Sequence, residues 1–312
     1  MSLVLVTGGA GFIGSHLAWG LVERGDEVRI LDDLSTGLQQ NLTSLDSDFQ
    51  KEDIRDQGAV DQAMQDVQTV FHLAALTSVP ESVEVPQRCY EVNLIGSLNV
   101  LWAAHRAGVR RVVLASSCAV YGEIPPPMRE DAVAQPLSPY AASKLAMEEA
   151  ARLFYETHGL ETISLRFFNV YGPRQAPDSE YAAVIPKFIQ VMMQGGRPVI
   201  FGDGSQTRDF VHVSDVVRAM LLAGERKAPV GQVVNVGSGQ SISILALAEA
   251  LRMQFPGGAE PSFSSPRQGD LAHSAADMDR ADQTLGYRPQ VAVEQGLRST
   301  IEWFEALNNE EL

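Results

Sequence analysis

The first half of the chain alternates short apolar runs with longer amphipathic stretches. The short runs are typical of buried strands, whereas the longer stretches carry apolar residues at helical spacing, as Ile13, Leu17 and Leu21 do. Strands that are apolar on both faces need helices on both faces of their sheet, so the pattern predicts an α/β fold with a doubly wound parallel sheet. The predicted strands are residues 3–6, 28–31, 48–50, 70–73, 112–115 and 163–167, and the predicted helices are residues 12–23, 90–106 and 139–156.

The alternation becomes less regular after Asn169. Gly172 and Pro173 interrupt the pattern, and residues 257–274 are rich in Gly, Pro and Ser, which predicts a long loop. We therefore divide the chain near residue 170, into a sheet domain of residues 1–170 and a smaller C-terminal α/β part of residues 171–312. The two parts are expected to interleave.

Composition argues against several classes of protein. The formal net charge of −15 disfavours non-specific binding to nucleic acid and to anionic membranes. The longest uncharged run, residues 228–248, includes Pro229 and Gly231 and is not expected to span a membrane. Cys89 and Cys118 have neither metal-ligand spacing nor the number needed for a disulfide framework. We expect a reduced, cytoplasmic setting without a metal and, because the first motif begins at residue 7, without a signal peptide.

A glycine-rich turn lies between the first predicted strand and the first predicted helix. Gly9, Gly11 and Gly14 fit the dinucleotide-binding fingerprint G-x-G-x-x-G, and Gly8, Gly11 and Gly14 fit the looser G-x-x-G-x-x-G. Glycine permits positive φ and close approach of the backbone to a pyrophosphate. The pyrophosphate then sits on the helix N-terminus, here at Phe12 and Ile13. Strand, turn and helix follow in the required order, so the turn predicts a bound dinucleotide on a Rossmann-type sheet.

An acidic residue follows the second predicted strand. The Asp32 carboxylate is placed to accept the adenine ribose hydroxyls and to repel a 2′-phosphate, which favours NAD over NADP. Asp33 is the alternative for this role, and we expect it to face solvent.

Two later segments also border the predicted cofactor site. Asp53 and Ile54 follow the third predicted strand and are expected to reach the adenine, although a helix cap for the stretch that starts near Asp56 is an equal alternative. The backbone is expected to border the cofactor again after the fourth predicted strand, at Leu73, Ala74 and Ala75.

Tyr140 and Lys144 stand one helical turn apart, in a helix that follows the fifth predicted strand. A free tyrosine has a pKa near ~10, and a neighbouring ammonium group favours the phenolate. Tyr140 is therefore predicted to take a proton from a substrate hydroxyl while hydride leaves the same carbon. Ser117 lies beyond the carboxyl end of that strand, where ligands bind in such sheets, and is predicted to hydrogen-bond the reacting oxygen. The alternative is a serine that simply ends a strand in a loop.

These motifs together resemble those of the extended short-chain dehydrogenase/reductases. Within that family the chain is similar to the UDP-galactose 4-epimerases and their relatives that act on N-acetylhexosamines. The resemblance runs over almost the whole chain, through Leu285-Gly286-Tyr287. The motifs that carry it are the glycine turn, Asp32, the segment at Ser117, the Tyr140–Lys144 pair and Arg166-Phe167-Phe168-Asn169.

The resemblance implies a role for each matching residue. Tyr140 would be the base, Lys144 would tune it and hold the nicotinamide ribose, and Ser117 would steer the sugar hydroxyl. Residues 1–170 would then bind NAD, with Asn93 and Phe167 as further cofactor contacts, and residues 171–312 would bind the UDP-sugar. The implied UDP-sugar contacts are Asn169, Arg208 and Arg267 at the diphosphate, Val184, Ile185 and Phe201 at the nucleotide, Asp270 at the uridine ribose and Ser274 at the sugar.

The residues after Ser117 distinguish the possible reactions. Related dehydratases carry an Asp-Glu pair there and related decarboxylases a Glu, whereas this chain has Cys118 and Ala119. The resemblance therefore implies 4-epimerisation of UDP-glucose and UDP-galactose through a 4-keto intermediate, and the small Ser274 implies that UDP-GlcNAc and UDP-GalNAc are also accepted. The alternatives are a dehydratase, a decarboxylase, a UDP-glucuronate 4-epimerase and a non-catalytic NAD-binding regulator.

Two predicted helices bear on the assembly of the protein. The resemblance implies a homodimer in which these helices form a four-helix bundle, whereas packing of each helix on its own sheet is the alternative. The apolar residues concerned are Leu94, Leu98, Leu101 and Trp102 in one helix and Leu145, Met147, Ala151 and Phe154 in the other.

Overall fold

The computed structural model describes residues 2–176, 183–225, 227–255, 258–266 and 272–310. No helix in these ranges is long and apolar enough to cross a membrane. The strands are β1 (Leu3–Thr7), β2 (Glu27–Leu31), β3 (Asp48–Gln50), β4 (Thr69–His72), β5 (Arg111–Ser117), β6 (Glu161–Phe167), β7 (Asn169–Tyr171), β8 (Val199–Phe201), β9 (Thr207–His212), β10 (Gln232–Val236), β11 (Ser241–Ser243) and β12 (Ser262–Ser264).

Seven of these strands form one parallel sheet in the order β10-β6-β5-β4-β1-β2-β3. The chain starts at β1, winds outwards to β3, and then returns to the other side of β1 with β4. This order confirms the predicted doubly wound parallel sheet. The change of direction between β1 and β4 opens a crevice at the carboxyl ends of the strands, which is where ligands bind in sheets of this kind.

Helices cover both faces of the sheet. One face carries an apolar layer that includes Leu17 and Leu21 from the first helix and Val216 from the eighth, and the other face carries a layer that includes Leu101 and Met147. The helices are α1 (Phe12–Glu23), α2 (Gln57–Ala63), α3 (Val79–Glu84), α4 (Pro86–Tyr90), α5 (Ser97–Ala107), α6 (Pro139–His158), α7 (Val184–Met193), α8 (Val213–Gly224), α9 (Ile244–Arg252), α10 (Asp279–Leu285) and α11 (Val293–Glu310).

The helix predicted at residues 90–106 consists of three segments instead of one. Helix α4 ends at Tyr90, residues Glu91–Gly96 form a π-helical turn, and α5 then begins at Ser97. The wide turn brings Gly96 against Ile54, where an added Cβ would lie 2.5 Å from the Ile54 Cδ1 atom. A single π-helical turn of six residues is too short to change the apolar spacing of the whole stretch, so the sequence pattern alone does not reveal it.

The C-terminal part contributes to the large sheet as well as forming its own core. Helix α8 packs against α1, and β10 pairs with β6 as an outer strand of the seven, although both follow the proposed division at residue 170. The rest builds a three-stranded sheet, β11-β9-β7, and an apolar core among α7, α9 and α11. The two parts are thus interleaved.

The predicted loop at residues 257–274 is partly wrong. Within the described residues it contains strand β12, which pairs in parallel with β8. The strand is only three residues long and its Phe263 is exposed, so it lacks the apolar pattern by which longer strands are recognised.

Candidate active site

The glycine turn is shaped by close approach of its own backbone. Gly8 has a φ of +71°, and an added Cβ there would lie 2.6 Å from the Ala74 amide nitrogen. An added Cβ on Gly14 would overlap the carbonyl oxygen of Gly8. Helix α1 begins at Phe12, and no side chain caps it. The first N–H groups of α1, at Phe12 and Ile13, are therefore directed towards the space where a phosphate would bind.

Asp32 is buried beside this turn. Its Oδ2 accepts a hydrogen bond of 2.9 Å from the Ala10 amide, and its Oδ1 accepts one of 2.8 Å from the Leu34 amide. Burial raises the pKa of Asp32, and the two amide bonds partly oppose that rise. Each carboxylate oxygen can accept more than one hydrogen bond, so the group remains able to bind a ribose hydroxyl. Asp33 is exposed, as expected.

Asp53 and Ile54 lie next to the sheet edge, but their roles differ from each other. The Asp53 carboxylate accepts hydrogen bonds from the Arg55 guanidinium, the shortest at 2.6 Å, and this pairing holds its pKa below the usual range. The cap of α2 is Asp56, whose Oδ1 accepts from two amides of the first turn, so Asp53 is not the cap. Ile54 is buried against Gly96.

The segment after β4 runs along the glycine turn. The Leu73 amide donates to the Thr7 carbonyl oxygen at 3.0 Å, and the Ala74 amide donates to Thr7 Oγ1 at 3.3 Å. His72 Nδ1 lies 2.7 Å from the same Thr7 hydroxyl oxygen. Leu73, Ala74 and Ala75 are all half-buried, so their backbone forms a wall of the crevice.

Asn93, which the resemblance implied as a cofactor contact, has a buried side chain that is held by groups of the protein. Its side chain is 1% exposed, and its Oδ1 accepts a hydrogen bond of 2.7 Å from the Leu76 amide. Its Nδ2 donates to Ser143 Oγ at 3.0 Å, and that hydroxyl donates to the Tyr140 carbonyl oxygen at 2.7 Å. The amide is therefore engaged by protein groups because the π-helical turn places it under Leu76. Asn93 thereby supports the crevice wall and the first turn of α6, and its contact with the cofactor stays a prediction.

Tyr140, Lys144 and Ser117 come together at the carboxyl end of β5. Lys144 is buried, and its Nζ donates a hydrogen bond of 2.8 Å to the Ala115 carbonyl oxygen. The same Nζ lies 6.0 Å from the centre of the Tyr140 ring. The Ser117 hydroxyl interacts with the Tyr140 phenol, and Phe167 lies opposite Ser117 in the pairing of β5 with β6.

Burial controls the ionisation of this group. It raises the pKa of Tyr140 to about 12, which hydrogen bonding to Ser117 partly opposes. It lowers the pKa of Lys144 to about 8, which Cys89 and Glu148 partly oppose. Tyr140 therefore needs a neighbouring positive charge to act as a base near neutral pH, and Lys144 supplies one below about pH 8.

A cavity of about 260 Å³ in the C-terminal part gathers five of the residues that the resemblance assigned to the UDP-sugar. Arg208 and Asn169 are the polar residues among these five, and the Asn169 Nδ2 donates to the Asp209 carbonyl oxygen at 3.0 Å. The other three are Val184, Ile185 and Phe201. Arg267 and Asp270 lie outside the described residues.

Three side chains have a buried polar atom without a hydrogen-bond partner among the described residues: Arg174, Gln175 and Ser274. Ser274 is 1% exposed and its Oγ has no hydrogen bond, although its amide donates to the Thr207 carbonyl oxygen at 3.1 Å. Gln175 lines the cavity, and its Oε1 is likewise unpaired. Both atoms are available to a ligand. No sequence motif marks Gln175, and the one signal for it is its position just after the break at Gly172 and Pro173.

Comparison with known proteins agrees with this geometry. Residues 4–237 match a family model described as the NAD dependent epimerase/dehydratase family. The UDP-glucose 4-epimerase of Mycolicibacterium smegmatis is 43% identical over 309 residues, which cover 96% of this chain and 97% of that protein.

The fold is shared over its whole length with solved structures, of which two are described. The UDP-glucose 4-epimerase of Thermotoga maritima with UDP-glucose has a TM-score of 0.94 and 38% identity, covering 98% of this chain and 99% of that one. The UDP-N-acetylglucosamine 4-epimerase of Methanobrevibacter ruminantium, in complex with UDP-N-acetylmuramic acid, has a TM-score of 0.93 and 39% identity over the same shares of the two chains.

Proposed function

Because the chain belongs to the NAD-dependent epimerase/dehydratase family, we propose that it is a UDP-hexose 4-epimerase that interconverts UDP-glucose and UDP-galactose. The observation that carries the proposal is the grouping of Tyr140, Lys144 and Ser117 at the edge of the sheet that also bears the glycine turn. The cavity with Arg208 and Asn169 lies in the C-terminal part, where a UDP group would be bound.

The residues of the crevice fit NAD. The N-terminus of α1 has no side-chain cap and is open to a diphosphate, and side chains at Gly8 and Gly14 would collide with the backbone that shapes the turn. The Asp32 carboxylate is buried beside the turn and suits a ribose with free hydroxyls. When bound, NAD would supply a hydride acceptor that is regenerated in each turnover.

The chain's own groups would move the proton. The Tyr140 phenolate would take a proton from the sugar hydroxyl at C4. It would return the proton to that oxygen after the 4-keto sugar has rotated in the site. Ser117 would hold that oxygen, and the Lys144 ammonium would stabilise the phenolate. The Arg208 guanidinium would bind the diphosphate with planar N–H donors and so tether the sugar during its rotation.

The two residues after Ser117 support epimerisation over dehydration. Ala119 carries no acid, and burial raises the pKa of the Cys118 thiol to about 12, so that thiol is a poor proton donor. Elimination of water needs an added acid or base beside the sugar, and the described residues next to Ser117 supply none.

The substrate range is proposed to include the N-acetylated pair, UDP-GlcNAc and UDP-GalNAc. Ser274 is small, and its buried hydroxyl is free to hydrogen-bond a ligand. One of the similar structures is a UDP-N-acetylglucosamine 4-epimerase.

Incubation of the purified protein with UDP-galactose and UDP-GalNAc, followed by chromatographic separation of epimers and mass determination, tests the activity. We expect UDP-glucose and UDP-GlcNAc of unchanged mass. A product of altered mass would identify a dehydratase or decarboxylase, and bound NAD without any isomerisation would identify a non-catalytic regulator.

We also propose a homodimer, with a corrected set of interface residues. Leu101, Met147 and Ala151 are buried in the protein's own core and cannot meet a partner. The solvent-facing apolar residues of this region are Ile95, Trp102 and Leu153. The centres of the Trp102 and Phe154 rings lie 5.9 Å apart, and this contact joins α5 and α6 into one surface. The half-buried Ala142, Ala146 and Ala150 follow one side of α6 at four-residue spacing and would let a partner helix approach closely.

A further inference from the structure

Helix α6 meets the end of β5 through three side chains that are spaced by one helical turn. Tyr140, Lys144 and Glu148 stand at i, i+4 and i+8, so they share one face of the helix. Glu148 is buried like Lys144. Their partners on β5 are three consecutive residues: the Ser117 hydroxyl for Tyr140, the Ala115 carbonyl oxygen for Lys144 and the Ser116 hydroxyl for Glu148.

Arg166 completes this arrangement from the next strand. Its Nε donates to Glu148 Oε1 at 2.9 Å and its Nη2 donates to Glu148 Oε2 at 2.7 Å, a two-pronged pairing. The side chains of the pair are only 5% and 4% exposed. Arg166 lies opposite Ser116 in the pairing of β5 with β6, and its guanidinium stacks 4.6 Å from the centre of the Tyr121 ring.

Stability alone is a weak reason for such a pair. Removing two charges from water costs about as much as their attraction returns, so apolar residues of similar volume often replace buried ion pairs without loss. The location of this pair offers a different reason, because its carboxylate lies one turn from the only described lysine at the reaction centre. Negative charge there favours the charged form of Lys144, which burial disfavours.

We propose that Glu148, held by Arg166, is a positioning residue for the reaction centre: it anchors α6 to β5 and provides the countercharge of the Lys144 ammonium. Glu148 does not touch the substrate and acts through Lys144 and Tyr140. The inference rests on the proposed epimerase function, in which Lys144 stabilises the Tyr140 phenolate. The other titratable groups near Lys144 are His72 from β4 and Cys89 from α4. Tyr121 and Glu130 lie beside Arg166, and Glu130 is paired to Arg280 at 3.8 Å.

The Glu148–Arg166 pair predicts in which direction the pH profile of turnover moves when Glu148 is changed. Glu148→Gln removes the negative charge and leaves the positive charge of Arg166 unpaired. The electrostatic effect of the substitution therefore favours the deprotonated forms of Lys144 and Tyr140. The pH profile of turnover should therefore move to lower pH by about one unit. Glu149→Gln is the matched control, because Glu149 is the next residue, is exposed and pairs with Arg152 on the surface. A merely structural role would lower turnover without moving the profile.

Ultraviolet titration of the Tyr140 phenolate, with the Tyr140→Phe signal subtracted, gives a second readout that needs no activity. Lys144 is already neutral at the pH where Tyr140 titrates, so this titration reports the charges of Glu148 and Arg166 directly. We expect it to move to lower pH in Glu148→Gln and to stay in place in Glu149→Gln. If the wild-type protein epimerises no UDP-sugar, the proposed function fails while this titration still decides the role of Glu148. If Glu148→Gln does not fold, Glu148→Gln/Arg166→Gln replaces it, and a smaller shift in the same direction is expected. A folded variant whose titration and profile match those of Glu149→Gln would overturn the proposal.

Discussion

The carbonyl oxygen of Gly8 lies where a Cβ atom would stand on Gly14. Gly14→Ala must therefore push the turn apart, at a cost of about 1–3 kcal/mol, and we expect NAD to bind roughly 10- to 100-fold more weakly. Titration calorimetry with NAD measures this change. Gly20→Ala in the same helix is the control, because a Cβ there meets only side-chain atoms, of Val217 at 3.3 Å and of Leu221 at 3.8 Å. Equal loss of affinity in both variants would contradict the role of the turn.

The charge on Lys144 should set the alkaline limit of turnover. Burial lowers its pKa to about 8, so the ammonium is present below that pH and is lost above it, while Tyr140 stays protonated. We expect kcat to fall above about pH 8 in the wild-type protein. In Lys144→Arg the guanidinium keeps its charge, so whatever turnover remains should persist to higher pH. An unchanged alkaline limb in Lys144→Arg would assign that limb to another group.

Much of the scaffold could be predicted from the sequence because its signals are local. The bounds of α1 and β3 were predicted to the residue, since a glycine turn precedes α1 and the apolar spacing ends with the helix. The Tyr140–Lys144 pair was likewise visible, because both residues lie in one helix. These predictions depend only on residues that are close together in the sequence.

The remaining features depend on pairing across the fold. Glu148 and Arg166 are separated by the end of a helix and the start of a strand, and nothing in the sequence states that β5 and β6 lie side by side beneath α6. The position of β10 next to β6 is a similar case. The protein partners of Asn93 are another such case, because a π-helical turn places its side chain against the Leu76 backbone.

Trp102 should hold the proposed dimer together. Its ring is 41% exposed and joins α5 to α6, so Trp102→Glu would place a charge in the middle of the bundle. Sedimentation at micromolar concentration should show a dimer for the wild-type protein and a monomer for the variant. Met253→Glu, at an exposed apolar residue outside these helices, should remain a dimer. A wild-type protein that sediments as a monomer would remove the proposal.

Ser274 should determine whether an N-acetyl group fits. A tyrosine at this buried position would fill the space, so Ser274→Tyr is expected to reduce turnover of UDP-GalNAc about 10- to 100-fold more than that of UDP-galactose. The ratio of kcat/KM for the two sugars measures the effect. His273→Tyr places the same ring at the exposed neighbouring residue and should leave the ratio unchanged. An equal loss on both sugars in Ser274→Tyr would refute the gating role.

The central claim is that one site removes hydride from C4 of a UDP-hexose and a proton from the C4 hydroxyl, and then returns the hydride to the opposite face and the proton to the oxygen. UDP-galactose that carries deuterium at C4 tests this most directly, with nuclear magnetic resonance of the products from the wild-type protein and from Tyr140→Phe. The account predicts UDP-glucose that retains the deuterium at C4, and a loss of turnover of about 100-fold or more in Tyr140→Phe. Deuterium released to water, or a Tyr140→Phe variant as fast as the wild type, would contradict it.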